Sequence, residues 1–268
     1  HVNILSSYPE QVALIELPAG QTFERLSLQE IEVTGGVPAV ANNSIDGGGN
    51  NGWTINANTP RTLFWVGGDG QWFDPAHWSL TSGGAGGECV PTAIDDVVFD
   101  NNSSAAYFTV DNFSDRTVFC HDIDWAADMT NTNQLRVGSM RVFGSFTNAG
   151  MLEFQSAPTF FHGDGVNDQT ITVGGARFFE FVFRSQEAYT LTDDLLGSDI
   201  VHQTGTLNFT DQEADLSRIR IIFGEREKFL NLGSAQISLS FESDNFVEAL
   251  SIYSRSNVTV DPGTSVLT

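Results

Sequence analysis

From Leu135 onward the chain repeats itself at intervals of about 20 residues. Strand-like runs begin near Met140, Pro158, Arg177, Asp199, Arg218 and Ala235, at successive offsets of 18, 19, 22, 19 and 17. Within them apolar and polar side chains alternate: Phe179/Phe181/Phe183, Leu207/Phe209, Ile219/Ile221/Phe223, Ile237/Leu239/Phe241 and Val258/Val260. Alternation at period two turns one face of a strand to a core and the other to water. Repetition at this length without helical segments marks a β-solenoid, in which each repeat is one coil lying on the last. The expected fold is therefore all-β, a right-handed parallel β-helix. The rival is a β-sandwich, whose strands recur every 8–12 residues. Second strands inside the repeats, Gln169–Val173 and Tyr189–Thr192, keep that rival open.

A solenoid has strand edges only at its two ends, and those ends need covering. The stretch Leu63–Asp100 is the expected cap. It holds Trp65, Trp72 and Trp78, the glycine-rich loop Ser82–Gly87, Cys89 and the buried-strand pattern Val97-Val98-Phe99. Asp74-Pro75 starts one short helical turn there, because proline fits the first helical position after a capping aspartate. Upstream, short runs at Val12–Leu17, Phe23–Leu28 and Ile31–Val33 are bounded by Pro and Gly, which is strand punctuation. Propensity allows a helix over Phe23–Ile31, but the flanking Gly20 and Gly35 favour strand. Asn42–Trp53, dense in Asn and Gly, reads as turn or loop. The chain thus divides into residues 1–58, the tail of a preceding β-rich module; 59–130, the Trp-rich junction; and 131–268, the coils.

Lys and Arg number 12 against 34 Asp and Glu, a net charge of −22. Such a chain repels nucleic acid and anionic membranes, so neither is an expected partner. No apolar run is long enough to cross a bilayer as a helix. The two cysteines permit one disulfide, Cys89–Cys120, or two buried free thiols. The single lysine, the acidity and the Asn/Gly content suit an extracellular protein and favour the bridge.

No catalytic constellation stands out, and the expectation is a non-enzyme. The pairs Asp95-Asp96 and Asp193-Asp194 cannot form a glycosidase dyad as neighbours, because adjacent residues on a strand point to opposite faces. His77, His121, His162 and His202 lack metal-ligand spacing, so zinc is not expected, and His77 and His121 are given structural hydrogen-bonding roles. No cofactor is required. Calcium is the one metal with any case, at the oxygen-rich loops Gly163–Asp168, carrying Asp164 and Asp168, and Asp69–Asp74, although neither spacing matches a calcium repeat and ordinary solvated turns are the leading reading. Trp65, Trp72 and Trp78 form either a buried cap or an exposed platform for glycan rings.

Larger motifs carry a resemblance. FWVGGDGQWFDPAHWSLTSGGAGGECVPTAIDDVVFD at Phe64–Asp100, followed by TVFCHDIDW at Thr117–Trp125, resembles the opening of repeat modules in large secreted, cell-surface β-helix proteins of Bacteroidota. GDGVNDQTITVGGARFF, AYTLTDDL, TGTLNFTDQ and RSNVTVDPGTSVLT resemble the coils of those modules, and VTGGVPAVANNSIDGGGNNGW at Val33–Trp53 resembles their closing segment. Where those modules often carry aromatic residues after the TGG turn, this chain has Pro38-Ala39-Val40. The order is permuted: the tail of one module, then the head and body of the next. Both ends fall in mid-pattern, as in a piece of a tandem array or a processed fragment. The resemblance implies an extracellular, bacterial cell-surface location, export by the type IX route, and a role in adhesion or gliding motility. It implies partners that are neighbouring copies joined head to tail, other surface proteins, or glycans. It also implies a pairing of Cys89 with Cys120. The leading expectation is a structural and adhesive repeat module. The alternatives are a carbohydrate-binding module using exposed tryptophans and a polysaccharide-degrading β-helix enzyme.

Overall fold

A computed structural model describes residues 2–6, 11–18, 20–35, 38–46, 48–56, 60–129, 131–150, 152–156, 158–197, 199–222, 226–239, 250–253 and 257–268. Strands dominate these residues, with a single 3-10 turn at Pro75–His77 and no α-helix. They stack as a parallel β-solenoid of about nine turns. Among the described pairings only one is antiparallel, Trp78–Ser79 against Phe64–Trp65. Two facing antiparallel layers are absent from the described residues, so the sandwich alternative falls.

From Thr62 onward each coil contributes to three walls. The first wall stacks Asp96–Phe99, Ile123–Trp125, Phe146–Asn148 and Gln169–Thr172, and ends with Lys228–Asn231 and Val258–Asp261. The second ends with Leu195–Leu196, Glu213–Leu216, Gln236–Leu239 and Val266–Leu267. The third runs through Thr159–Phe161, Arg218–Ile221 and Leu250–Ile252. Longer strands such as Glu180–Leu191 and Asp199–Asn208 turn a corner and serve two walls each. At one such corner Gly205 has φ +81, and a Cβ there would sit 2.1 Å from the Ser185 carbonyl oxygen, so only glycine fits.

Because coils stack in register, inward side chains form columns. In the third wall one column reads Cys120, Val142, Phe161, Phe183, His202 and Ile221, all buried. In the first, Leu63, Val97, Ile123, Phe146, Ile171 and Leu191 align. Each fully buried Phe, Leu or Ile stabilises the stack by about 1.5–3 kcal/mol. Ring contacts such as Phe161 on Phe183, 5.2 Å between centroids at 14°, add about 0.5–1.5 kcal/mol each.

The sequence period tracks the third wall at Met140, Pro158, Asp199 and Arg218 and departs from it twice. Arg177 precedes the wall strand, which pairs through Phe181, and Ala235 introduces a strand of the second wall. Phe179 also corrects the expected alternation: it is exposed, while Phe178 fills the core. Phe223 and Phe241 lie outside the described residues.

Residues 2–56 form a smaller parallel stack of three sheets. One contains Val2–Leu5, Leu26–Gln29 and Ile45–Asp46; another Ala13–Glu16 and Ile31–Thr34; the third Thr22–Glu24, Ala39–Asn42 and Trp53–Asn56. Positive φ at Arg25, Glu30 and Asn43 makes its corners. Phe23–Ile31 thus spans parts of three strands around two corners, at Arg25 and Glu30, and the expected loop over Asn42–Trp53 contains a strand at Ile45–Asp46. This stack lies along the outer side of the third wall. Gln29 donates from Nε2 to the Arg184 carbonyl and meets His162 Nδ1 through Oε1, and Glu30 pairs with Arg226. Ile45 packs with Ala93, Ile94 and Phe143. The expected boundaries at 58/59 and 130/131 fall on residues 57–59 and 130, outside the described residues.

Candidate functional site

Three places stand apart from the repetitive wall: the tryptophan cap, the C-terminal described coil, and a cleft between the two stacks.

At the cap, Asp74 accepts from the Ala76 N–H and Pro75 opens the short turn, as the sequence predicts. The turn reverses the chain so that Trp78 pairs with Trp65. The His77 ring stacks on Trp65 at 4.7 Å and 8°, with Nδ1 2.8 Å from the Val66 carbonyl. Trp78 meets Trp65 and Trp72 edge-on at 5.1 and 5.0 Å, and Phe99 stacks on Trp125 at 4.3 Å. Trp65 Nε1 donates to the Gly68 carbonyl and Trp78 Nε1 to the Trp72 carbonyl. Trp65, Trp72 and Trp78 have no exposed surface. The glycan-platform expectation for these three residues is therefore corrected: a stacked sugar needs an open indole face, and here the faces close the solenoid.

The expected Cys89–Cys120 bridge is corrected as well. Both thiols are free, Cys89 exposed and Cys120 buried. Strand alternation aims Cys120 into the core column of the third wall, away from the surface where Cys89 lies. Burial raises the Cys120 thiol well above its ordinary pKa, with the nearby Asp122 and Asp96 adding to the effect.

At the C-terminal described coil the columns reach partly exposed residues. Ile252 continues Ile221, Val260 continues Leu230 and Leu267 continues Ile237. Their exposures are 51%, 39% and 46%, against 0%, 2% and 1% for the residues beneath them. Val258–Asp261, Leu250–Ile252 and Val266–Leu267 each present an edge with no further described strand. At the other end of the chain, Val2–Leu5, Ala13–Glu16 and Thr22–Glu24 are the edge strands of their three sheets.

The cleft, about 460 Å³, is lined by Ile45, Asp46, Ile55, Ile94, His121 and the turn Asp164–Asn167, among others. On its wall His121 Nδ1 lies 2.8 Å from Asp96 Oδ1 and 3.4 Å from Asp122 Oδ1, and its Nε2 lies 3.7 Å from Asp164 Oδ2. Burial pulls the imidazole pKa down, but the Asp96 hydrogen bond and the charges of Asp122 and Asp164 outweigh it, so His121 titrates above its ordinary value. Burial raises the Asp122 carboxyl. Asp95 points the other way, buried and held by both arms of Arg61 at 2.8 and 2.9 Å. Strand alternation thus separates this acidic pair as expected. Asp193 and Asp194 also part: Asp193 accepts from Val173 and Gly174, Asp194 from Glu213.

The two calcium candidates of the Gly163–Asp168 loop have different partners. Asp164 closes its own turn, accepting from the N–H groups of Val166 and Asn167, while Asp168 accepts from the Ala188 N–H. Among the described residues, the group with three ligand atoms within 4.8 Å of one another is Asp96, His121 and Asp122. Sequence spacing could not find it, because Asp96 and His121 meet only through coil stacking. No helix of the described residues is long and apolar enough to cross a membrane.

No protein-family model matches the chain, and neither a curated protein nor a solved structure matches it.

Proposed function

We propose that this chain is a structural and adhesive repeat module of a large extracellular, bacterial cell-surface protein or fibre, without catalysis of its own. The observation that carries the reading is the asymmetry of the main solenoid. Among the described residues, its first coil is closed by buried tryptophans, and the coil of Leu250–Ile252, Val258–Asp261 and Val266–Leu267 offers three apolar columns and three strand edges. The occupant that fits is the coil of Val2–Leu5, Ala13–Glu16 and Thr22–Glu24 in a second copy, whose strands are, among the described residues, edge strands of three parallel sheets. Strand addition of this kind gains backbone hydrogen bonds along each wall, while the apolar columns set the register. The net charge of −22 keeps such copies soluble and disfavours side-by-side clumping, which steers contact toward the ends.

The type IX export route rests on the sequence resemblance alone, and the neighbouring copies rest on it together with the exposed edges of Leu250–Ile252, Val258–Asp261 and Val266–Leu267. Electron microscopy of two or more copies joined in tandem on one chain tests the reading. Unbranched rods are expected; isolated particles or shapeless clusters would remove it. Turnover assays on acidic and neutral polysaccharides, with and without calcium, are expected to show no product, and product formation would overturn the non-catalytic reading.

A further inference from the structure

We propose that Asp96, His121 and Asp122 bind one divalent transition-metal ion of the zinc class on the wall of the cleft between the two stacks. This inference is independent of end-to-end stacking.

The donors are an imidazole and two carboxylates, a mixed nitrogen–oxygen set that suits zinc, cobalt, nickel or manganese better than calcium, which takes six to eight oxygens. Ligand atoms on a tetrahedral zinc lie about 3.4 Å apart. Here Nδ1 stands 2.8 and 3.4 Å from the two carboxylate oxygens and all three atoms lie within 4.8 Å of one another, so side-chain movement of about an ångström or less lets one ion reach all three. Backbone donors already orient the carboxylates: the Asp122 N–H donates to Asp96 Oδ1 and the Ser145 N–H to Asp122 Oδ1.

The second observation is on the other side of the ring. A metal-bound histidine usually donates its remaining N–H to a carboxylate, which fixes the tautomer. Asp164 Oδ2 stands 3.7 Å from Nε2, held in place by the donors of its own turn. Among the described residues His121 is the only base paired with Asp96, Asp122 or Asp164, so one imidazole faces three carboxylates. A divalent ion in place of the Nδ1 proton relieves that imbalance. His121 and Asp164 line the cleft, while Asp96 and Asp122 lie on the Nδ1 side of the ring, and water completes the coordination there. Asp96, His121 and Asp122 flank one coil boundary and Asp164 belongs to a later coil, so the ion links coils beside the smaller stack.

The test is calorimetric titration of the full chain with zinc chloride, in a Cys89→Ser background that removes the exposed thiol. Saturable binding of one zinc per chain is expected. His121→Gln should weaken it at least ~100-fold, and Asp164→Asn, which leaves the three ligands in place, by ~10–100-fold. If His121→Gln fails to fold, Asp122→Asn, at a partly exposed position, carries the test with a loss of the same kind. Cobalt is expected to give a visible absorption band that zinc displaces. Absence of saturable binding, binding unmoved by His121→Gln or by Asp122→Asn, or calcium binding as tightly as zinc would each overturn the proposal.

Discussion

Leu230 and Val260 stand one above the other in the first wall, one coil apart, and differ in surroundings: Leu230 is 2% exposed and Val260 39%. The same step from covered to open occurs at Ile221/Ile252 and Ile237/Leu267, once per wall. Covering three such side chains, already half-buried, gains about 2–4 kcal/mol. Bringing two free molecules together costs about 4–15 kcal/mol. Contact between separate copies is therefore weak. Copies held on one chain, at effective concentrations near ~1 mM, engage readily.

The tryptophan cap is structural, so its loss is read in stability. Trp78→Ala removes a fully buried indole that touches Trp65, Trp72 and Phe99 and bonds the Trp72 carbonyl. The expected loss is about 3–5 kcal/mol by denaturant unfolding. A variant with unchanged stability and altered glycan binding would contradict the buried role.

The thiols should differ sharply in reactivity. Exposed Cys89 is expected to react with a thiol reagent in the native protein, and Cys120 only on unfolding. Cys89→Ser should shift stability by less than about 0.5 kcal/mol. Two thiols that appear only after reduction would show that the bridge forms.

Two buried histidines make the fold acid-sensitive. Burial lowers the His202 pKa to about 4, and burial with the charges of Arg141 and Arg184 lowers that of His162 well below its ordinary value. In the unfolded chain both titrate near ~6.5, so on acidification the unfolded state takes up protons first. Their contribution is complete above that pH and is lost as the pH falls toward the folded values. For His202 the loss between pH about 7 and about 5 is about 2 kcal/mol. His202→Phe, which suits a column between Phe183 and Ile221, should flatten the slope of stability against pH. An unchanged slope would contradict the assignment.

The architecture was legible where one physical cause dominated. Alternation and a period near 20 residues gave the coils, because each wall buries one face. The period blurred at Arg177 and Ala235, where the chain passes between walls and a run's start no longer marks the same wall. Val182 and Val201 held a further clue: they lie beside inward residues yet are buried, because the smaller stack covers the outer side of the third wall. Strand triplets that are apolar on both faces, Phe181-Val182-Phe183 and Ile200-Val201-His202, record that double burial in the sequence. The three-carboxylate setting of His121 left no such trace, since its members come from separate coils. Tryptophan count alone could not separate cap from platform. That depended on the antiparallel return of Trp78 against Trp65.

The most direct test of end-to-end stacking is sedimentation velocity over concentrations up to ~1 mM, comparing the chain with an Ile252→Lys/Val260→Lys variant. Both positions are exposed in the single copy, so the variant should keep its circular dichroism and melting temperature. The account predicts reversible, concentration-dependent association of the unaltered chain and its loss in the variant. A chain that stays monomeric throughout, or association that survives both lysines, would contradict it.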